Sequence, residues 1–364
     1  MINRLVAYLG QHVDSYLMAA AGALLAVGLI TLYSASGESF PRIGAQLANI
    51  AVALTIMWIV ANVPPHYLLR LALPVYLLGL GLLIGVALFG EVVNGARRWL
   101  HIGVTRIQPS ELMKIAVPLA LAWYFDRYEA VLKLRDFAVA AVMLLVPVLL
   151  VAKQPDLGTA MLIAAAGFFV MFLAGLSWKI LAGLSVAAMA SLPLLWTLMH
   201  DYQRQRVRTL LDPTQDPLGA GYHTIQAAIA MGSGGFFGKG WLNGTQAHLD
   251  FLPERSTDFI FAVFSEEFGL FGNIVLVTLF LFVIGRGLFI TYNAPTLFTR
   301  LAAGAITLTF FTYVLVNMGM VSGILPVVGV PLPLISYGGT SLVSVLFGVG
   351  ILMSIHTHKR LVRT

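Results

Sequence analysis

The sequence predicts an all-α, polytopic membrane protein of about ten transmembrane helices, with a long extracytoplasmic loop before the eighth. Composition is the first reason: the 364 residues are 59% hydrophobic and only 10% charged, far too apolar for a water-soluble globular chain. Mean hydropathy agrees, at +0.88. The second reason is patterning, because the charges cluster between uncharged runs that each approach the roughly 20 residues a helix needs to cross about 30 Å of hydrocarbon. The third is the lack of the period-2 alternation that barrel strands show. The chain has no cysteine, which excludes disulfides, iron–sulfur clusters and thiol nucleophiles together. A pI near 9.6 raises nucleic acid as a partner. The longest polar stretch, residues 200–258, holds five basic and six acidic residues, so no basic patch exists there and no nucleic-acid partner is expected.

Taken in order, residues 17–33 form the first uncharged run. It ends near Ser34-Ala35-Ser36 like a signal peptide, but the preceding segment carries only Arg4 and further spans follow, so it reads as a retained span. Runs at 43–65, 71–90, 115–125, 137–152, 157–178 and 180–199 bring the count to seven. After the loop, 259–285 is interrupted only by Glu266 and Glu267, and 301–355 has no charge at all, enough for two spans and a connection. An even total of ten places both termini on one side. Lysine and arginine counts are level at 11 on each side, but removing the long loop's five leaves 11 against 6. Arg127, Lys133, Arg135, Lys359, Arg360 and Arg363 then anchor the cytoplasmic side, with both termini, and residues 200–258 lie outside. No internal repeat is visible, and one membrane domain over 1–364 is the simplest organisation.

Several motifs fail on spacing. The string GSGGFFGKG invites a phosphate loop, but Ser233 stands where a Walker A needs glycine and Gly240 where it needs Ser or Thr. The dinucleotide fingerprint fails at Phe237. Eight histidines give no H-E-x-x-H, so no zinc site is expected. What remains for these glycines is tight backbone packing near the membrane surface.

Other motifs hold. In QPSELMK, Pro109 and Ser110 read as a helix start that puts Glu111 and Lys114 in the first turn, on one face. Glu111 suits the positive helix end and Lys114 does not, so the lysine needs an anion, either Glu111 itself or a substrate. Asp156 precedes an apolar run, where it can cap a helix or face a cavity. Asp258 opens the eighth span and competes with Ser256 and Thr257 as a cap. A carboxylate at a helix N-terminus stays ionised near neutral pH, as a general base for a sugar hydroxyl must. Glu254 and Arg255 add charge in the same turn. At about 100° per residue only Glu266, not Glu267, could share a cavity with Asp258. Arg204, Arg206 and Arg208 alternate outside the seventh span, suiting lipid headgroups, solvent or a diphosphate. Pro326, Pro331 and Pro333 lie in a chargeless stretch, and irregular backbone of that kind is tolerated only where it is buried in protein or lines a wet cavity.

These strings resemble one family. From Asn317 to Ser341 the run NMGMVSGILPVVGVPLPLISYGGTS is similar to the C-terminal signature of the SEDS (shape, elongation, division and sporulation) proteins. NGARRWLHIG from Asn94, QPSE from Gln108, QPDLGT from Gln154, DPLGAGYHTIQ from Asp216, GKGWLNGTQ from Gly238 and FLPERSTDFIF from Phe251 resemble it in order. MHDYQRQRV from Met199 and SIHTHKR from Ser354 look like the elongation, RodA-type branch.

The resemblance implies a peptidoglycan glycosyltransferase of the cell inner membrane, polymerising lipid II on the periplasmic face during elongation and rod-shape maintenance. It implies Asp258 as the catalytic aspartate and Glu111, Lys114 and Asp156 as cavity residues. Arg98, Arg204, Arg255 and Lys114 are the cations available for the diphosphate. A divalent cation is compatible with the chemistry, but no ligand cluster encodes one. The implied partners are a class B penicillin-binding protein, which supplies the transpeptidase, and the MreC and MreD scaffold. A lipid II flippase and a non-catalytic scaffold are the alternatives.

Overall fold

A computed structural model describes residues 11–358, apart from 94–95, 103–104, 129–131, 155, 200, 216–220, 246–251 and 253. Lys359, Arg360 and Arg363 lie outside the described residues. Each expected span is a helix: α1 (Ser15–Ala35), α2 (Phe40–Ala61), α3 (Pro65–Phe89), α4 (Pro109–Arg127), α5 (Leu134–Ala152), α6 (Leu157–Leu173) and α7 (Trp178–Leu198). Within the long loop lie α8 (Asp201–Leu211) and α9 (Tyr222–Ser233), followed by α10 (Ile260–Tyr292), α11 (Leu297–Val321) and α12 (Thr340–Thr357). Seven of these are long and apolar enough to cross a bilayer outright, α6 is shorter, the apolar part of α7 is Trp178–Leu194, and α4 carries charge at both ends. The chain is an integral membrane protein.

Between α3 and α4 the chain forms a small sheet that the sequence reading did not anticipate. Strands β1 (Glu91–Val93), β2 (Ala96–Ile102) and β3 (Thr105–Ile107) pair antiparallel in the order β1-β2-β3. Two of the three strands have only three residues, too short for an alternation to register.

Helices α4, α6 and α11 pack on one another at the centre, and α11 is the most buried of the long spans. By contrast, α7 exposes most of its described side chains, as a helix facing lipid does.

The eighth span departs from a simple rod. A straight helix of 33 residues would reach about 50 Å, well beyond the hydrocarbon thickness. Gly269 breaks it, with φ 63° and ψ −161°. Residues 259–267 are buried on every side, whereas beyond the break Leu270, Phe271, Ile274 and Leu281 are exposed. The lipid-crossing part is therefore 270–292, about 35 Å at 1.5 Å per residue. Glu266 and Glu267 belong to the buried segment before it.

The glycine-rich string is the partner of this break. Gly235 and Phe236 carbonyls accept the backbone N–H groups of Leu270 and Phe271, while Lys239 and Gly240 N–H groups donate to the carbonyls of Glu266 and Glu267, all at 3.0 Å. Backbone approaches that close exclude side chains: a Cβ on Gly238 (φ 80°) would lie 2.1 Å from the Glu267 carbonyl oxygen. Tight packing is thus the role of these glycines. Gly238→Ala is expected to cost about 3 kcal/mol from the collision and the left-handed backbone together. Gly235→Ala, which has open space around it, should cost only the backbone term, about 1–2 kcal/mol. Thermal midpoints of the two detergent-purified variants give the comparison.

Candidate functional site

The first turns of α4 and α6, the residues just before α10, and the segment 322–339 between α11 and α12 converge at one end of the bundle. On α4, Gln108 is the N-cap and Pro109 occupies the first position, so Glu111 and Lys114 fall in the first turn and a half as the sequence predicts. Lys114 is buried at 6% exposure, and its Nζ donates to Glu111 Oε1 at 2.6 Å and sits 5.2 Å from the Tyr313 ring centre. The second Glu111 oxygen accepts from Ser344 Oγ of α12 at 2.9 Å. The internal ion pair is therefore formed. Beneath it a narrow apolar crevice, lined by Ile115, Val283, Ile306, Phe310, Val349 and Leu352, runs between α4, α10, α11 and α12.

Asp156 caps α6, its Oδ1 accepting from the Thr159 N–H at 3.1 Å. The other oxygen accepts from Gln108 Nε2 at 3.3 Å and lies 3.8 Å from Arg98 Nε of β2. The cap reading and the cavity reading are compatible here, because one carboxylate oxygen serves each. Arg98 is brought to the cluster by the small sheet.

Asp258 does not cap α10. The N-cap is Phe259, and no side chain donates or accepts there. The Asp258 carboxylate is instead half-buried against Gly329, whose φ is 78° and where a Cβ would come within 3.2 Å of Asp258 Oδ2. Burial and the Glu254 charge beside it push the Asp258 carboxyl up to about 6. The expected carboxylate that stays ionised near neutral pH is compatible with this value, but the helix end is not what sets it, since burial and Glu254 displace it toward the protonated form. Gly158, two residues after Asp156, packs on the Val328 carbonyl, so the strip 328–329 lies between the α6 cap and Asp258.

The remaining candidates are placed elsewhere. Arg204 donates to the Trp196 and Thr197 carbonyls at 3.0 and 2.8 Å and pairs with Asp201, closing the end of α7. The side chain of Arg206 lies outside the described residues. Arg255 is half-buried, three residues before Asp258. Glu266 is fully buried and turned toward the glycine-rich turn, where Lys239 Nζ at 2.7 Å and Thr245 N and Oγ1 at 2.9 Å all donate to its Oε1. Glu267 accepts from Ser34 Oγ of α1. Among the described residues no group of three or more His, Asp or Glu is placed to hold a metal ion.

Tyr313, Gln108, Ser344 and Asn317 were missed in the sequence. Asn317 did leave a signal, as the one amide or charged side chain in 301–355. His223 of α9 also joins this end: its ring stacks on Phe259 with centres 5.7 Å apart, and burial lowers its pKa.

The chain as a whole is similar to known proteins. The chain is 51% identical over 351 residues to the peptidoglycan glycosyltransferase MrdB of Escherichia coli K12, covering 96% of this chain and 95% of that one. Among solved structures it matches a chain of a peptidoglycan synthase complex that coordinates polymerization and crosslinking, with a TM-score of 0.85, 32% identity and coverage of 96% and 98%. The rod shape determining protein RodA of Thermus thermophilus follows with a TM-score of 0.73, 29% identity and coverage of 95% and 97%. With residues 15–361 matched to the cell cycle proteins that gather FtsW, RodA and SpoVE, the chain belongs to that family.

Proposed function

We propose that this protein is a peptidoglycan glycosyltransferase of the elongation type, polymerising lipid II in the cell inner membrane. The observation that carries the reading is the collection of Glu111, Lys114, Asp156, Arg98 and Asp258 at one end of a bundle similar throughout its length to glycosyltransferases. In this reading Asp258 takes the proton of the GlcNAc 4-hydroxyl as that oxygen attacks the MurNAc anomeric carbon. The C1–O bond to undecaprenyl diphosphate breaks, and the centre inverts. Lys114, Arg98 and Arg255 offset the charge that develops on the diphosphate, and Arg204 meets lipid headgroups near the membrane surface. The site faces the periplasm, with both termini cytoplasmic, as the basic residues of the short loops favour.

A class B penicillin-binding protein is the partner that best suits a relative found in a complex for polymerization and crosslinking. The MreC and MreD scaffold is the wider assembly. A flippase reading would draw on a second charged cluster at the opposite end, where Arg286 Nη2 donates to Asp14 at 2.5 Å and His356 Nε2 lies 3.3 Å from the same carboxylate. The crevice below Lys114 is lined mainly by apolar side chains, Val283, Ile306, Phe310 and Leu352 among them, with Thr307 and Thr309 as its hydroxyls, a poor path for a diphosphate sugar.

The test is glycan synthesis from purified lipid II by the chain co-purified with its transpeptidase partner. Long glycan strands support the enzyme, and movement of lipid II across vesicles without glycan supports the flippase. The acidic limb of kcat/KM is expected near pH 6. A base must be deprotonated, so activity rises with pH through the raised Asp258 value and is lost below it. A limb near 4 would remove the buried carboxyl from the rate.

A further inference from the structure

Three consecutive carbonyls lead into α10, and each receives a donor from the C-terminal third of the chain. The Tyr337 N–H donates to the Ser256 carbonyl at 2.9 Å, Ser336 Oγ to that of Thr257 at 2.6 Å, and Asn317 Nδ2 to that of Asp258 at 2.9 Å. The same groups are tied back into the proline-glycine segment. Asn317 Nδ2 also donates to the Val330 carbonyl at 2.7 Å, and Ser336 Oγ accepts from the Leu332 N–H at 2.8 Å.

Asn317 is fully buried, and both partners of its Nδ2 are carbonyl oxygens. Only an NH2 group fits that position, since an oxygen would face two acceptors. The segment it holds is also the wall against which the Asp258 carboxylate lies, through Gly329 next to Val330. Main chain and side chain of Asp258 are therefore both referred to the strip 328–330. A linker whose only task was to join α11 to α12 would need neither contact.

We propose that Asn317, with Ser336 beside it, is a positioning residue for glycosyl transfer, fixing the Asp258 main chain so that its carboxylate is held against residues 328–330 where the acceptor hydroxyl arrives. The inference rests on reading Asp258 as the base. Asn317 touches no reacting atom and acts through the backbone it holds. Displacing a reacting group by about 1 Å costs on the order of 10²-fold in rate, the scale expected for loss of this clamp.

The experiment compares wild type, Asn317→Asp, Asn317→Ala, Ser336→Ala and Asp258→Asn as co-purified complexes, following lipid II polymerisation between about pH 5 and 9. Asn317→Asp, equal in size but kept neutral by burial against two carbonyls and so left with one O–H donor where the amide has two N–H, is expected to lower kcat about 10²-fold with KM within about twofold. Its acidic limb should move to lower pH, because a released carboxylate turns toward water. Ser336→Ala should shift both readouts in the same direction, with about a 10-fold fall in kcat. Unchanged kcat and limb in these variants, with Asp258→Asn inactive, would overturn the positioning role while leaving the base in place. A fall in kcat with the limb unmoved would overturn it too, since loss of folded protein alone scales the profile without shifting it. If Asn317→Asp does not assemble with the partner, Asn317→Ala and Ser336→Ala decide by the same two readouts. Wild-type activity in Asp258→Asn would instead remove the base on which the inference stands.

Discussion

Asp258→Asn should yield a folded, membrane-inserted chain that binds its partner and makes no glycan, with kcat/KM reduced about 10³-fold or more. The size of the effect follows from the role, since positioned base catalysis contributes roughly 10²- to 10⁴-fold and an amide cannot take the proton at all. Asparagine is the substitution to choose because it preserves shape. The bonds that place this residue run to the carbonyls of Ser256, Thr257 and Asp258, all main chain, and survive it. A fold defect would therefore be small, and the thermal midpoint and complex yield check that directly. Asp258→Glu keeps the base but lengthens it by one methylene, moving the carboxylate from its place beside Gly329. It should retain partial activity, about 10- to 10²-fold down. Equal glycan from wild type and Asp258→Asn would take the carboxylate out of the chemistry and leave a scaffold reading for this end of the bundle.

How much of this was legible in the sequence depends on how far apart the partners are. Helices were legible because an uncharged run states its own environment, and the start of α4 and the Asp156 cap were legible because capping is decided within four residues. The same local logic misread Asp258: Ser256, Thr257 and Asp258 all look like caps, yet their carbonyls are held by Tyr337, Ser336 and Asn317, at least 59 residues away. Arg98 meets Asp156 across a similar gap, through a sheet whose strands are too short to show a period. The break at Gly269 is intermediate. Glycine in a span suggests a kink, but the reason for it is the 234–240 turn, whose backbone bonds to 266–271 no local pattern encodes.

Lys114→Met is expected to cost both stability and activity, whereas Lys114→Met combined with Glu111→Gln should recover the first and not the second. The pair is buried, at 6% and 13% side-chain exposure, and it lies on the α4 turn whose positive end disfavours the lysine. Removing the cation alone strands a carboxylate whose remaining donor among the described residues is Ser344, a loss of about 3–5 kcal/mol for a buried pair. Replacing both charges removes the stranded anion, and such replacements are commonly neutral or stabilising. The thermal midpoint should therefore fall in the single variant and return in the double. Activity separates the two meanings of the pair. If Lys114 exists only to satisfy Glu111, the double variant polymerises glycan at the wild-type rate. If its charge stabilises the departing diphosphate, the double variant is folded, partnered and still slow by about 10²-fold or more. The second outcome is expected, because the lysine sits against an unfavourable helix end at the head of a crevice whose described lining adds Thr307, Thr309 and Ser344 but no further cation.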